Sequence, residues 1–425
     1  MHVSNPNRMI SSDRELSIKT YENCYALPFR YFIADDGTEL HGGGLCCDGV
    51  WIRESGLFTS SLASYDFDPD DVNFIDDDVI FIGCMSPVWG HAITDCLKHL
   101  WWLNSEDYLK NHKEKELFYW GPKPLSGNFL ELVQLAGVDV SKLHFIDQKL
   151  LFRSVIVPDI SFNYTEGWAC KEYLDTVELI VSNIKPNYVK IVEPLFLSER
   201  ETRRTCGVRS IEKVARLAGY KVYYPGEHSL RDQISVLRSA SVVLSFESSV
   251  GHNTVFCHPR TKLIMLRKEE YVNRYQTIIN ELRSFDVITV NASLSIMNDK
   301  RFPYAGPFFV YPNDAVCQAA FSCSPIESNG LLSKCRNKRK ERVSLFPKKA
   351  FKQYIEYNLW GDEDALAHKL VFSDAQAKCV AREITKYREF QYKRIGNIFK
   401  FVPLPRNIKE KAVTKIAKYK VRHLI

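Results

Sequence analysis

The usual markers of a membrane-spanning, secreted or metal-binding chain are missing from these 425 residues. No run of about 18 uninterrupted apolar residues occurs, so no membrane-crossing helix is expected. The opening MHVSNPNRMISSDREL holds no apolar core of a secretory leader, which makes the cytosol the expected compartment. None of the twelve cysteines forms a C-x-x-C pair, and the adjacent Cys46 and Cys47 have no partner motif nearby. Scattered through apolar contexts such as VFC and DCL, they read as small buried hydrophobes, not as zinc ligands or a disulfide framework. A G-x-x-x-x-G-K-[ST] phosphate loop is absent, so the glycines of HGGG (41–44) are expected in a turn or bulge. With no G-x-S-x-G elbow either, an esterase reading of HGGG has no support. Internal repeats are not seen.

What is present is a globular composition, 45% hydrophobic and 12% aromatic, in a chain long enough for two domains of ordinary size. The net charge of +6 conceals an asymmetry. From Gln376 to Ile425 there are 14 basic and 3 acidic residues, against 43 basic and 48 acidic in the rest. A basic tail on a mildly acidic body suggests an anionic surface as partner. The tail carries no recognised nucleic-acid reading motif, so a membrane surface is the better match.

The most legible stretch runs from Glu193 to Leu266. An apolar run at Pro194–Leu197 is short enough for a buried strand. Ile211, Val214, Ala215 and Leu217 then recur at helical spacing up to Gly219. Tyr220–Tyr224 is strand-like and Pro225–Gly226 ends it. Ser229 can N-cap a helix carrying Ile234, Leu237 and Ala240 on one face. The strand Ser241–Phe246, a short helix to Cys257 and the strand Lys262–Leu266 follow. Strands alternating with helices of about ten residues predict parallel βαβ units and a Rossmann-like sheet.

The first half is less regular. Strands are expected at Val79–Ile82, Glu116–Tyr119, Leu143–Ile146 and Ser154–Val157. A helix is expected over Gly90–Leu103, with Ile93, Leu97, Leu100 and Trp101 as its apolar face, and another over Lys171–Ser182. The economical reading is a second α/β domain. The expected division is 1–186, 187–321, and a linker with a mainly helical basic extension over 322–425.

Three constellations can carry chemistry. SFESSVGHN (245–253) follows a buried strand and opens a helix, the position where a doubly wound sheet binds ligands. Ser248, Ser249 and Gly251 are small enough for backbone amides to approach a phosphate. Glu247 can accept from ribose hydroxyls, and His252 and Asn253 add donors. Without other support, an N-cap and a packed helix explain this stretch equally well. ERETRRTCGVR (199–209) places Arg200, Arg203 and Arg204 at the same edge of the sheet, where arginine can bind a diphosphate bidentately. The competing explanation is a solvated charged loop. WGHAITD (89–95) puts His91 and Asp95 four apart on one helical face, a pair able to act as general base with the carboxylate fixing the tautomer. An ordinary helical ion pair would look the same.

Together GHAITDCLKHLWWL, the arginine loop at 199–204 and SFESSVGHNTVFCHPRTKLIML resemble glycosyltransferase family 61, especially its bacterial branch in capsular and extracellular polysaccharide synthesis. Gly90, His91, Asp95, Leu97, Leu100 and Trp101 match that family's first motif. Glu247, Ser249, His252, Asn253, Pro259, Thr261 and Lys262 match its last. The chain departs from the pattern at Phe246, where the family has Pro, at Ser248, where it has Gly, and at Val250 and Gly251. The resemblance covers about 79–310. It implies a GT-B-like fold of two facing Rossmann-like domains, a nucleotide-diphosphate sugar as donor, inversion at the anomeric carbon, and neither metal nor other cofactor. In that picture His91 and Asp95 serve the acceptor hydroxyl. Arg200, Arg203, Arg204, Glu247, Ser248, Ser249, His252 and Asn253 hold the donor, and the acceptor is a glycan or lipid-linked glycan.

Two other readings stay open: a metal-dependent transferase using Asp76 and Asp78, and an inactive carbohydrate-binding or scaffold protein of the same fold. The acidic segment DFDPDDVNFIDDD (66–78) lacks the glycine and closing glutamate of a calcium loop. In the tail, Ile408, Ala412, Ile416 and Tyr419 share one helical face among five lysines, so 407–425 can form a basic amphipathic helix on an anionic inner leaflet.

Overall fold

The computed structural model describes residues 14–33, 39–56, 65–184, 194–202, 205–269, 272–293 and 308–324. The expected domain boundary near residue 186, Arg203, Arg204, nearly all of the expected extension from 322 onward, and the tail helix at 407–425 lie outside these residues.

The first half is built on strands rich in β-branched and aromatic residues. In chain order they are β1 (Ile18–Ile33), β2 (Glu39–Cys47), β3 (Val50–Trp51), β4 (Asn73–Cys84), β5 (Leu117–Trp120), β6 (Leu143–Phe145) and β7 (Leu150–Pro158). They form one sheet in the order β3-β2-β1-β7-β4-β5-β6. β1 runs antiparallel to both β2 and β7, whereas β4, β5, β6 and β7 are parallel. The register shift between Leu27 and Arg30 sets Pro28 and Phe29 of β1 opposite the single Gly43, so HGGG lies inside β2 facing a bulge in β1. The helices α1 (Trp89–Thr94), α2 (Glu106–Asn111), α3 (Asn128–Leu135) and α4 (Lys171–Ser182) cover this half, with a small hairpin of β8 (Phe162–Asn163) and β9 (Trp168–Ala169) before α4.

Two expectations need correction here. The helix expected over Gly90–Leu103 is instead the six-residue α1 followed by a 3-10 segment, Leu97–Asn104. Leu97, Leu100 and Leu103 recur every three residues, the period of a 3-10 helix, and all are buried. The segment is also tied sideways. Lys98 Nζ donates to the Gly56 carbonyl and the Trp101 indole to the Asp159 carbonyl. The second correction concerns the cysteines. Cys24 and Cys47 form a disulfide between β1 and β2, next to the Tyr25–Cys46 pair, with Cα atoms 4.5 Å apart. Cys46, Cys84, Cys96, Cys170, Cys206 and Cys257 are free and buried as expected. Only tertiary pairing brought Cys24 to Cys47, 23 residues away.

The second half continues with β10 (Leu195–Leu197), β11 (Thr205–Cys206), α5 (Val208–Leu217), β12 (Lys221–Tyr223), α6 (Leu230–Ser239), β13 (Val242–Phe246), α7 (Ser249–His252), β14 (Lys262–Arg267), α8 (Arg274–Leu282), β15 (Val287–Asn291), β16 (Phe308–Phe309) and α9 (Asp314–Ser322). Five strands pair, all parallel, in the order β12-β10-β13-β14-β15. The expected strands of this stretch are present, as are α5 and α6, and the Ser229 hydroxyl caps α6 by accepting from the Asp232 amide. The helix expected to reach Cys257 is instead the four-residue α7 followed by a 3-10 turn, Asn253–Phe256.

One apolar cluster runs from Ile80 and Ile82 of β4, through Ile93, Leu100 and Val177, to Val243, Leu263 and Met265 of the parallel sheet. Helices therefore form a shared layer between the two sheets. Separate clusters cover the outer faces, one around Phe152 and Trp120, the other beneath α5 and α9. Ion pairs cross the shared layer. Glu178 of α4 binds Arg238 of α6 and Arg283 just after α8, and Arg231 of α6 meets Glu131 of α3 at 2.7 Å. Burial alone would raise the Glu178 pKa, but the two arginines hold it below the usual carboxylate value.

Candidate active site

Chain direction places the chemistry. β10 and β13 are neighbours, but their connections leave to opposite sides of the parallel sheet, which makes the gap between their carboxyl ends a topological switch point. Glu199 and Arg200 leave β10 there, and Glu247 and Ser248 leave β13. From the other sheet, β4 ends at Cys84 and a tight turn, with Val88 N donating to Ser86 Oγ, starts α1. The first turn of α1 packs directly on α7. A Cβ on Gly90 would stand 2.8 Å from Ser249 Oγ and 3.2 Å from His252 Cδ2, so the missing side chain lets the two helices approach closely. The first and last motifs of the sequence thus meet.

On α1, His91 Nδ1 lies 2.8 Å from Asp95 Oδ2. Accepting at this carboxylate puts the imidazole proton on Nδ1 and the lone pair on Nε2. His91 is 25% exposed while Asp95 is 5% exposed, so the dyad presents a reachable base on a buried anchor. The Thr94 hydroxyl stands 3.0 Å from both Asp95 Oδ2 and the Gly90 carbonyl. The spacing expected from sequence is therefore realised as a hydrogen-bonded pair.

His252 plays a different part. It is buried, with Nδ1 3.0 Å from Gln276 Oε1, and burial pushes its pKa down to about 4. It is a neutral packing group beside the dyad. Asn253 is buried as well; it accepts from the Trp89 indole at 2.9 Å and donates to the Val250 carbonyl. This bond stitches α1 to the end of α7. Ser249 is exposed at the junction. Ser248 has an extended backbone, φ −157°, which any residue adopts. The close approach falls at Gly251 instead, where a Cβ would lie 2.3 Å from the Phe246 carbonyl oxygen.

At the switch point the charges are already paired. Glu247, its side chain 6% exposed, has Arg267 Nε at 3.3 Å from both carboxylate oxygens. Burial raises its pKa and Arg267 works against that shift. Glu199 binds Lys268 at 2.9 Å and accepts from the Ser248 hydroxyl at 3.3 Å. Arg200 is largely exposed, pairs with Glu227 and lies over the Tyr224 ring at 5.1 Å. α7 spans only four residues, so its amides can contribute little dipole, and cationic side chains must supply most of the positive charge.

Sequence reading missed Arg267, Lys268 and Glu269. The carboxyl-edge rule that selected SFESS would also have selected RKEE, which ends β14 in the same sheet. Glu269 is half-buried, and burial raises its pKa to about 7. Tyr275 was missed as well. Asn273 caps α8, and its first turn then sets Tyr275 against His91 and His252, with ring centroids 5.6 and 5.8 Å away. No local motif announces that contact.

Asp76 and Asp78 lie in the first half of β4, at the far end from α1. Arg153 binds both, at 3.2 and 3.0 Å, and Lys115 binds Asp78 at 3.1 Å. Among the described residues no group of three metal-ligating side chains is assembled, and no helix is long and apolar enough to cross a membrane.

Residues 89–264 match the family model described as Glycosyltransferase 61. The matched region starts at the first residue of α1 and ends within β14, so it encloses both motifs that meet at the dyad. The match supports glycosyltransferase family 61, and with it glycosyltransferase activity on glycans. Among curated proteins nothing matches the chain.

Proposed function

We propose that this protein is an inverting glycosyltransferase that moves a sugar from a nucleotide-diphosphate donor to a glycan acceptor, with a GT-B-like pairing of its two sheets. The observation that carries the reading is the His91–Asp95 dyad held against α7, beside the switch point of the parallel sheet. In the proposed step His91 Nε2 takes the proton from the acceptor hydroxyl as its oxygen attacks the anomeric carbon. The bond from that carbon to the diphosphate breaks, and the nucleoside diphosphate departs with its electron pair. A single displacement inverts the centre. Asp95 holds the imidazole tautomer and stabilises the imidazolium that forms.

The donor nucleotide lies at the carboxyl ends of β10 and β13. Glu247 accepts from the ribose hydroxyls, with Ser248 and Ser249 near the diphosphate. Arg200, Arg203 and Arg204 neutralise the leaving group, as fixed cations must where charge develops. This reading uses the arginine loop and not a cation held by Asp76 and Asp78, whose carboxylates are committed to Arg153 and Lys115. The resemblance to the bacterial branch favours an acceptor among cell-surface polysaccharides. The basic segment 407–425 would then keep the enzyme on an anionic leaflet.

The test is a panel of UDP- and GDP-sugars, scored for thermal stabilisation and hydrolysis, then for transfer to oligosaccharide acceptors in chelator and in manganese. One donor should stabilise the protein and be turned over equally in both. Stabilisation by none of the panel, or activity lost in chelator and restored by manganese, would overturn the reading.

A further inference from the structure

Tyr275 stands on the parallel-sheet side of the molecule, yet it completes the surroundings of a dyad carried by the other sheet. Its ring is edge-on to His91 at 5.6 Å and 74°, tilted against His252 at 5.8 Å, and stacked at 4.1 Å on Tyr164 in the β8–β9 turn. Arg274 steadies that turn by donating to the Thr165 carbonyl. The Tyr275 hydroxyl is buried close to the Asp95 carboxylate, with no well-formed hydrogen bond to it among the described residues. Burial first, then the neighbouring Asp95 carboxylate, push its pKa far above the ordinary phenol value.

Asp95 needs such a neighbour. It is almost fully buried, and its Oδ2 receives the His91 Nδ1 proton and shares the Thr94 hydroxyl with the Gly90 carbonyl. An ionised carboxylate has about four lone-pair sites, and burying one short of donors is costly. Tyr275 Oη is an uncommitted donor beside it.

We propose that Tyr275 is a positioning residue for the His91–Asp95 dyad, its hydroxyl turning onto the Asp95 carboxylate and so setting the basicity of His91. The inference rests on the reading of His91 as acceptor base, and it makes that base a joint product of both sheets. By sharing the carboxylate charge, the phenol hydroxyl weakens the hold of Asp95 on the imidazolium. Removing the hydroxyl strengthens that hold and raises the His91 pKa. The other titratable groups around the dyad are His252 of α7, Tyr173 of α4, Tyr164 of the β8–β9 turn, Cys84 and Cys96. Burial lowers His252 to about 4, raises Cys96 to about 12, and raises Tyr173 and Cys84 well above their ordinary values, so these four keep their charge near neutral pH.

The experiment is an NMR titration of the histidine rings in the full chain, wild type against Tyr275→Phe, with the His91 signal assigned by its loss in His91→Gln. No substrate is needed. The Phe variant keeps the ring stack, and its His91 should titrate about half a pH unit or more higher. The acid limb of kcat/KM should move up with it, at unchanged KM for the donor chosen from the UDP- and GDP-sugar panel. A His91 that titrates at the same pH in both proteins overturns the proposal. Full transfer activity in His91→Gln would instead overturn the reading of His91 as base, and the titration would still decide the Tyr275–Asp95 contact on its own.

Discussion

The mixed sheet and the parallel sheet face the same helical layer, but each is held in a different way. The mixed sheet joins its antiparallel edge through a disulfide, a bulge and long ladders between β1, β2 and β7. The parallel sheet has short strands of three to six residues and depends on helices covering both faces. Their contributions to the site differ in kind. The mixed sheet delivers a titratable pair, His91 and Asp95. The parallel sheet delivers a charged crevice at Glu199, Glu247, Arg267 and Lys268. Substitutions on one side should therefore change chemistry, and on the other side donor binding.

The largest effect tests that division directly. His91→Ala and Asp95→Asn should each lower transfer by about 100- to 10,000-fold, the range for a general base. Donor affinity, measured by calorimetry, should stay within about two-fold. A matching loss of donor affinity would break the division, because the two sheets would then share both tasks.

Next comes the covalent link. Opening the Cys24–Cys47 loop with Cys24→Ser should cost about 3 kcal/mol in denaturant unfolding, the chain-entropy value for a loop of this length. Thiol alkylation with mass measurement under native conditions should find this pair protected until a reductant is added. Disulfides persist in oxidising compartments, so the same measurement on protein from the cell bears on the expected cytosolic placement.

The arginine loop should follow. Arg203→Ala and Arg204→Ala are each expected to lose about 1.5–3 kcal/mol of transition-state stabilisation, the scale of a charged hydrogen bond. Steady-state kinetics with the active donor decide it. Unchanged kcat/KM in both single variants would move the diphosphate to Arg267 and Lys268.

Gly251→Ala sharpens the comparison within the parallel half. Its Cβ would meet a carbonyl oxygen, not a movable side chain, so about 1–3 kcal/mol of stability should be lost. Gly90→Ala meets the Ser249 hydroxyl, which can rotate away, and should cost less. Equal losses would mean that α1 is pressed on α7 more rigidly than the contacts suggest.

The smallest effect is a difference in acid sensitivity. Burial lowers His99 in the mixed half and His252 in the parallel half to about 4, against 6.5 unperturbed. The unfolded chain binds these protons first, so stability contributed by both falls as pH drops from about 6.5 toward about 4. Glu269 works the other way. Burial raises it to about 7, so the folded state takes its proton first and its contribution grows as pH falls. Glu247 is shifted in the same direction. Hydrogen exchange at pH 5 and pH 7 should show protection declining more in β1–β7 than in β10–β15. Equal decline would remove this asymmetry.

How much was legible follows from the same contrast. In the parallel half, each strand is a short apolar run buried on both faces and each helix has a clear polar side, so local pattern sufficed from Pro194 to Leu266. The antiparallel strand β1 carries mixed residues such as Glu22, Asn23 and Arg30 on a less buried surface, and it is fixed by pairing with β7 on one side and β2 on the other. The 3-10 winding after α1 was invisible because helical and 3-10 periods differ little over eight residues, and the side-chain bonds that tighten it reach Gly56, Glu54, Pro158 and Asp159.

Sequence by itself determined the parallel βαβ run, the capped and terminated helices, and the spacing that puts His91 and Asp95 on one face, because each depends on residues within about one or two turns of each other. It also marked the loops at the carboxyl edge of the parallel sheet, since strand direction is implied by the βαβ order. Only the tertiary structure decided that Cys24 meets Cys47, that Glu247 faces Arg267, that Asn253 receives the Trp89 indole, and that Tyr275 reaches the dyad from the opposite sheet. These contacts join residues from about 20 to nearly 200 positions apart. Their energy comes from packing two sheets onto one apolar layer, and no local preference records which partner that packing selects.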